Sequence, residues 1–298
     1  MGSDGATSEG SAACHGVSSE GPDDARILLS AMNAHLQVAL SGVIPALVAM
    51  WIVDRLDAKR PEPPRTRRLV VFFGMLSVVP ALILELVLST QVGEQLEPQL
   101  TYQGSSFQAF VVAAAVEEAC KIVVVYWVVW RKPEFDERMD GIVYASRAGL
   151  GFALVENVMY LLSQQSLQGQ LVVWVERALL AVPGHAMWTG MIGAMAARRR
   201  FDGKGVGLLG GYLLAVAFHG AYDVSVFVQQ PLHFEGRELL GHALLLVPVA
   251  LTVLAFLVLR GMARTALRLD DAEAAHAAAR AVLPPMPPMP PMAPPMLR

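Results

Sequence analysis

Residues 113–127 read AAAVEEACKIVVVYW: two adjacent glutamates, Glu117 and Glu118, and a lysine, Lys121, inside an apolar run that meets no further charge until Arg131. The run is long enough to be a membrane-spanning helix, which needs roughly 20 mostly apolar residues. Glu117 and Lys121 are four apart, and Glu118 and Lys121 three apart, so a helix puts all three side chains on one face. An ionised group at the centre of a spanning helix costs about 2.5–3.5 kcal/mol on insertion scales, so such groups face protein or a watery cavity and find partners. The stretch therefore predicts a helical membrane protein with a polar interior.

Composition supports that reading. Of 298 residues, 54% are hydrophobic and 16% charged, with a mean hydropathy of +0.46; soluble domains carry roughly 25% charged residues. Strands cannot cross a bilayer without closing a barrel, so the fold class is all-α, a polytopic helix bundle. About seven spans are predicted, near 34–53, 68–91, 105–130, 141–163, 171–197, 205–229 and 239–260, with boundaries good to about 2–4 residues. Lys and Arg gather in alternate loops: Arg55 to Arg68, Arg131 to Arg138, Arg198 to Lys204, and the flank from Arg260 to Arg268. By the positive-inside rule this places the N-terminus outside and the C-terminus in the cytoplasm. No basic patch with interleaved aromatics suggests nucleic acid. Cys14 and Cys120 lie in a polar tail and an apolar span and carry no redox or metal reading.

The expected organisation is a disordered tail at 1–30 without signal-peptide character, a transmembrane domain at 31–262, a short cytoplasmic helix at 263–283 and a Pro/Met-rich disordered tail at 284–298.

Further polar residues fall inside the predicted spans. The fourth carries Glu156 and Asn157, the fifth Pro183, Gly184 and His185, and the sixth His219 and Asp223. At 1.5 Å per residue, Glu117, His185 and His219 lie about 18, 21 and 15 Å from the outer ends of their spans, and Glu156 and Asp223 about 10 Å. These overlapping depths predict one polar chamber. Pro183 removes a helix hydrogen bond just before His185 and predicts a bend there. Glu85 is a candidate to line the same chamber. Arg147, Glu176 and Arg177 lie near span ends, where they can snorkel.

The motifs EExxK (Glu117, Glu118, Lys121), DGIVYxxxxGLGFAxxEN (Asp140 to Asn157), PxHAxxTGxxG (Pro183 to Gly193) and HxxxD (His219 to Asp223), in that order over roughly residues 105–225, resemble those of the PrsW intramembrane proteases. In the wider clan with the CAAX prenyl endopeptidases the second motif is FxxxH; here Phe152 is followed by Glu156. The resemblance implies a bacterial inner (plasma) membrane, multi-pass enzyme. It also implies cleavage of a single-span membrane protein, such as an anti-sigma factor, near the outer face. Substrate and lipid are the expected partners.

Peptide hydrolysis needs an activated water, a stabilised oxyanion and a proton for the leaving amine. The expected catalytic residues are Glu117, Glu118, His185 and His219, with Glu117 taking the proton from water and Lys121, Glu156, Asn157 and Asp223 in support. Two versions stand. In one, His185 and His219 with Glu156 or Asp223 hold one Zn2+. In the other, the balance of this reading, there is no metal: the histidines supply hydrogen bonds and the leaving-group proton, and Asn157 or a histidine serves the oxyanion. A non-catalytic scaffold is the alternative function, and a proton-coupled carrier, which uses similar buried groups, a further one.

Overall fold

The computed structural model describes residues 22–93, 96, 97 and 100–282. The expected tail at 284–298 and residues 1–21 of the N-terminal tail lie outside the described residues. Of these residues 86% are helical, and none is in a strand. The helices are α1 (Pro22–Ser41), α2 (Val43–Leu56), α3 (Pro64–Leu76), α4 (Val78–Leu88), α5 (Tyr102–Phe107), α6 (Val116–Val128), α7 (Arg138–Leu162), α8 (Leu167–Glu176), α9 (Val182–Asp202), α10 (Gly207–Phe227), α11 (Gln229–Phe234), α12 (Glu238–Leu244) and α13 (Leu246–Val282). Helix α1 thus begins within the stretch expected as a tail. The separate helix expected at 263–283 does not exist as such. Its residues continue α13 without a break, because the segment is alanine-rich and Asp270 anchors it to Arg138.

Among the described residues, five stretches are long and apolar enough to cross a membrane: Met32–Leu56, Pro64–Gln91, Leu167–Asp202, Gly207–Phe234 and Glu238–Ala281. The expected spans at 105–130 and 141–163 are helical but fall outside this apolar set. The reason is chemical. They contain Glu117, Glu118 and Lys121 in one case and Arg147 and Glu156 in the other, and the bundle buries or ion-pairs these groups. The outward-facing side chains of α2, α4 and α13 are apolar, as lipid contact requires: Trp51, Ile83 and Leu257 are all more than half exposed.

Helix α7 is the central element and is buried along most of its length. It starts with a capping box, in which Asp140 and Glu137 reciprocally satisfy the first backbone amides. Glycines let it approach its neighbours at backbone distance. A Cβ built on Gly141 would lie 2.4 Å from the Gly193 carbonyl oxygen, and one on Gly149 2.4 Å from that of His185. Small residues at such crossings allow close helix packing where no hydrophobic force drives association. The same approach sets α9 against α7 at the residue that carries the imidazole.

Pro183 leaves its mark as a π-helical stretch, Arg177–Ala181, between α8 and α9. Helix α9 then resumes with the proline in its first turn. A second π-helical stretch, Gln108–Ala115, runs into α6 just before the glutamate pair. Such widened turns recur at functional sites.

Candidate active site

Helices α6, α7, α9 and α10 bring seven of the eight expected residues together. Lys121 Nζ donates to Glu117 Oε2 at 2.8 Å and to Glu118 Oε1 at 2.9 Å, and lies 2.8 Å from His185 Nδ1. An ammonium only donates, so His185 Nδ1 accepts. The ring proton then sits on Nε2, which is 2.8 Å from Glu156 Oε2. Glu118 accepts from the Thr189 hydroxyl at 2.7 Å, and His219 Nδ1 lies 3.1 Å from its other oxygen. His219 Nε2 faces Asp223 at 3.3 Å and Glu117 Oε2 at 3.8 Å. The His219 ring is stacked on Trp188, with centroids 4.3 Å apart, which fixes its plane. Glu117, Glu118, Lys121, His185 and His219 are all buried.

Asn157 is the exception. Its amide nitrogen donates to the Gly42 carbonyl at 2.6 Å, and its oxygen accepts from Arg177 Nε at 2.7 Å. The side chain is committed to the α1–α2 junction and turns away from the imidazoles.

Arg177, expected at the interface, contacts the candidate site instead. Its Nη2 donates to Glu156 at 2.6 Å, so Glu156 is held between a guanidinium and His185. The expectation that Arg177 and Arg147 snorkel to the interface is corrected: Arg147 pairs with Asp54 inside the fold. Both have carboxylates in reach, so neither needs water. Thr189 stood in the quoted PxHAxxTG motif without a role; the clue was its position four residues, one helical turn, after His185.

A cavity of about 280 Å³ reaches the site. Glu85, Gln108, Glu117, Phe152, Glu156 and Tyr160 are on its wall. Glu85 therefore lines the chamber, as expected. Glu117 and Glu156 are the site carboxylates that meet this space, while Glu118 is sealed behind them.

The donor set could hold a divalent metal once Lys121 releases His185 Nδ1, the nitrogen that faces Glu117. Glu117, His185 and His219 offer three buried ligand atoms within 4.8 Å of one another. The nitrogens His185 Nε2 and His219 Nδ1 each have a carboxylate partner, in Glu156 and Glu118, the arrangement that orients metal-binding imidazoles. Charge points the same way: Glu117, Glu118, Glu156 and Asp223 face only Lys121 and Arg177 as fixed cations. Among the carboxylates, Glu117 completes the cluster in place of Glu156 or Asp223.

The fold and site together define a multi-pass helical membrane protein with a buried glutamate–histidine centre. The family model for "PrsW family intramembrane metalloprotease" matches residues 62–259, and the chain belongs to the PrsW family. It is 33% identical over 185 residues to the Protease PrsW of Geobacillus kaustophilus, covering 61% of this chain and 76% of that one. It is 29% identical over 201 residues to that of Clostridioides difficile, covering 65% and 81%. With the Bacillus subtilis protein it shares 29% over 186 residues, covering 61% and 79%. No solved structure matches the chain.

Proposed function

We propose that the chain is an intramembrane endopeptidase that cleaves a single-span membrane protein. Supporting this are its family and one observation above the rest: Glu117, buried beside His185 and His219, forms part of a cavity wall. Water is otherwise scarce at this depth, and the cavity gives it a place beside a carboxylate.

In this mechanism Glu117 takes a proton from water as the oxygen adds to the scissile carbonyl carbon. The tetrahedral intermediate collapses with cleavage of the C–N bond, and the departing amine receives the proton that Glu117 took, passed through His219 Nε2, 3.8 Å from Glu117 Oε2, so that both side chains end as they began. His219 suits that role because this nitrogen has only the longer 3.3 and 3.8 Å contacts. His185 is held more tightly, between Lys121 and Glu156, and positions rather than transfers. Glu118 and Lys121 set the charge and orientation of Glu117. Asn157 is not proposed for the oxyanion, since its hydrogen bonds are spent elsewhere.

A zinc-dependent form is the second reading, favoured by the clustered donors and by the family's description. Glu117, His185 and His219 would hold the ion, which when bound supplies Lewis-acid polarisation and activation of water. Stoichiometric zinc in active protein, with loss of activity to chelator, selects this form; activity in metal-free protein selects the other.

The seven-span topology is also proposed, with the N-terminus outside and the C-terminus in the cytoplasm. It makes spans of the two charged helical segments and follows the alternating basic loops. With this orientation the cavity lies toward the outer half of the bilayer, so the cleaved bond, of an anti-sigma-factor-like substrate, lies near the outer face. The membrane is the bacterial cytoplasmic one.

The deciding experiment compares membrane proteomes of cells carrying wild type or Glu117→Gln at equal abundance. Newly formed peptide termini beside single transmembrane spans, present only with wild type, establish proteolysis and name the substrate. Identical termini in both overturn the reading and favour a scaffold.

A further inference from the structure

A second acidic cluster lies away from the candidate active site, at the end of the bundle where the basic loops gather. Asp57 caps the C-terminus of α2, Glu62 follows in the α2–α3 loop, and Asp140 sits in the first turn of α7. Their ligand oxygens lie within 4.8 Å of one another. Asp57 is 2%, Glu62 6% and Asp140 0% exposed.

Hydrogen bonds account for only part of this cluster. Asp140 Oδ2 accepts the backbone amides of Asp136 and Glu137, both at 2.8 Å. Glu62 accepts from the Tyr144 hydroxyl. Both oxygens of Asp57 are buried without a partner, and Oδ1 of Asp140 has none beyond a proton shared with Glu62. The nearby cations are largely engaged elsewhere, although Arg60 Nη2 is buried without a partner and its charge offsets part of that of Asp57. Arg60 pairs with Glu137 and Asp271, Lys59 with Asp271, and Arg138 with Asp202, Asp270 and Glu273. A buried carboxylate without a hydrogen-bond partner is costly, and one guanidinium does not balance three of them. Three of them turned toward one another, with both oxygens of Asp57 unpaired, ask for a cation between them.

We propose that Asp57, Glu62 and Asp140 form a second, non-catalytic site that binds a hard divalent cation of the Mg2+ or Ca2+ class. The class follows from the donors. All are oxygens, which suit Mg2+, Ca2+ and Mn2+, whereas the glutamate–histidine centre offers the nitrogen ligands that zinc prefers. The ion joins the end of α2 and the α2–α3 loop to the start of α7. Asp140 and Glu156 are on the same helix, about 24 Å apart at 1.5 Å per residue. The site thereby anchors the helix that carries the catalytic-side carboxylate from its opposite end.

The competing explanation is protons. Burial, then the neighbouring carboxylates Glu137 and Asp140, push Asp57 up to about 7. Burial, then the Glu62 hydrogen bond, push Asp140 up to about 9. Protonated carboxyls would relieve the repulsion without a metal.

The test uses full-length protein in detergent, stripped with chelator and held at about pH 8, where cation binding competes with protons least among mild conditions. Mn2+ serves as the spectroscopic probe. We expect saturable binding in wild type, displaced by excess Mg2+ or Ca2+ and retained in Glu117→Gln, which separates this site from the active-site donors. Asp57→Asn and Glu62→Gln each weaken it by about tenfold or more. Without cation, Asp57→Asn is at least as heat-stable as wild type, because repulsion has been removed. If Asp57→Asn does not fold, Glu62→Gln carries the comparison. Absence of saturable Mn2+ binding in wild type, its loss in Glu117→Gln, or unchanged binding in both carboxylate variants would overturn the proposal.

Discussion

The Lys121 ammonium lies 2.8 Å from His185 Nδ1, and that contact joins α6 to α9 across the site. The same ammonium is shared by Glu117 and Glu118, pairing with both. Its removal leaves two buried glutamates without their shared cation and frees His185 to change tautomer. Breaking a buried pair by deleting one partner costs about 3–5 kcal/mol. Lys121→Met is therefore expected to lower the unfolding midpoint markedly and to reduce peptidase activity by about a hundredfold or more. Adding Glu118→Gln removes one orphaned charge and should recover part of the stability. A Lys121→Met protein as stable and active as wild type would show that the lysine is dispensable.

Glu156 and Arg177 act as a unit. Arg177 holds the glutamate at 2.6 Å, and the glutamate holds His185 at 2.8 Å. Arg177→Met and Glu156→Gln should each impair turnover, and the double variant should be little worse than the poorer single one. Coupling within such networks is about 0.5–3 kcal/mol. Kinetics on the three purified variants read this directly; strictly additive losses would mean that Arg177 does not act through Glu156.

Asn157 bridges Gly42 and Arg177. Loss of its side chain should cost stability rather than chemistry. Asn157→Ala is expected to lower the unfolding midpoint, while turnover per folded molecule drops by less than about tenfold. An oxyanion donor would instead cost about 10²–10³ in turnover. A loss of that size in fully folded protein would return Asn157 to the reaction.

Gly149 lies where α7 meets the His185 carbonyl. A methyl group there contacts backbone, which cannot turn aside as a side chain can. Gly149→Ala should spread α7 from α9, shift His185, and lower both stability and activity. Gly203→Ala is the contrast. Nothing lies within 4 Å of its Cβ, but its φ of +64° disfavours a side chain, so it should cost about 1 kcal/mol and leave turnover unchanged. Equal activities for the two variants would contradict this account of the crossing.

Much of the site was legible because charge in an apolar run is rare and costly. Glu117, Glu118 and Lys121 announced themselves by spacing, and His185, His219, Glu156 and Asp223 by matched depth. What stayed hidden depends on which way a helix turns. Asn157 is next to Glu156, yet about 100° around the helix from it, and points to Gly42. Arg177 seemed close enough to a helix end to reach water, and only packing shows that Glu156 is nearer. The cluster of Asp57, Glu62 and Asp140 joins residues far apart in sequence, and nothing in the loops marks them as neighbours. The helical class was clear from composition. Continuity of α13 past the apolar segment was not, because hydropathy falls where helix propensity does not.

The acidic cluster also gives a pH dependence with a definite sign. Asp57 has an ordinary value of 3.8 and is raised in the fold to about 7 by burial, then by Glu137 and Asp140, against the opposing charge of Arg60. The folded state thus binds more protons than the unfolded state between these values, so this group's contribution to stability declines as pH rises through that window. Asp270 adds to the repulsion, and Asp140, raised to about 9, extends the decline to higher pH. In chelator, the unfolding midpoint of wild type should fall from about pH 5.5 to about pH 8.5, and the fall should be shallower in Asp57→Asn. Calorimetry at several pH values checks both. The comparison with Asp57→Asn removes contributions from the active-site carboxylates, which both proteins share. Identical slopes would show that Asp57 does not titrate between the folded and unfolded values assigned to it.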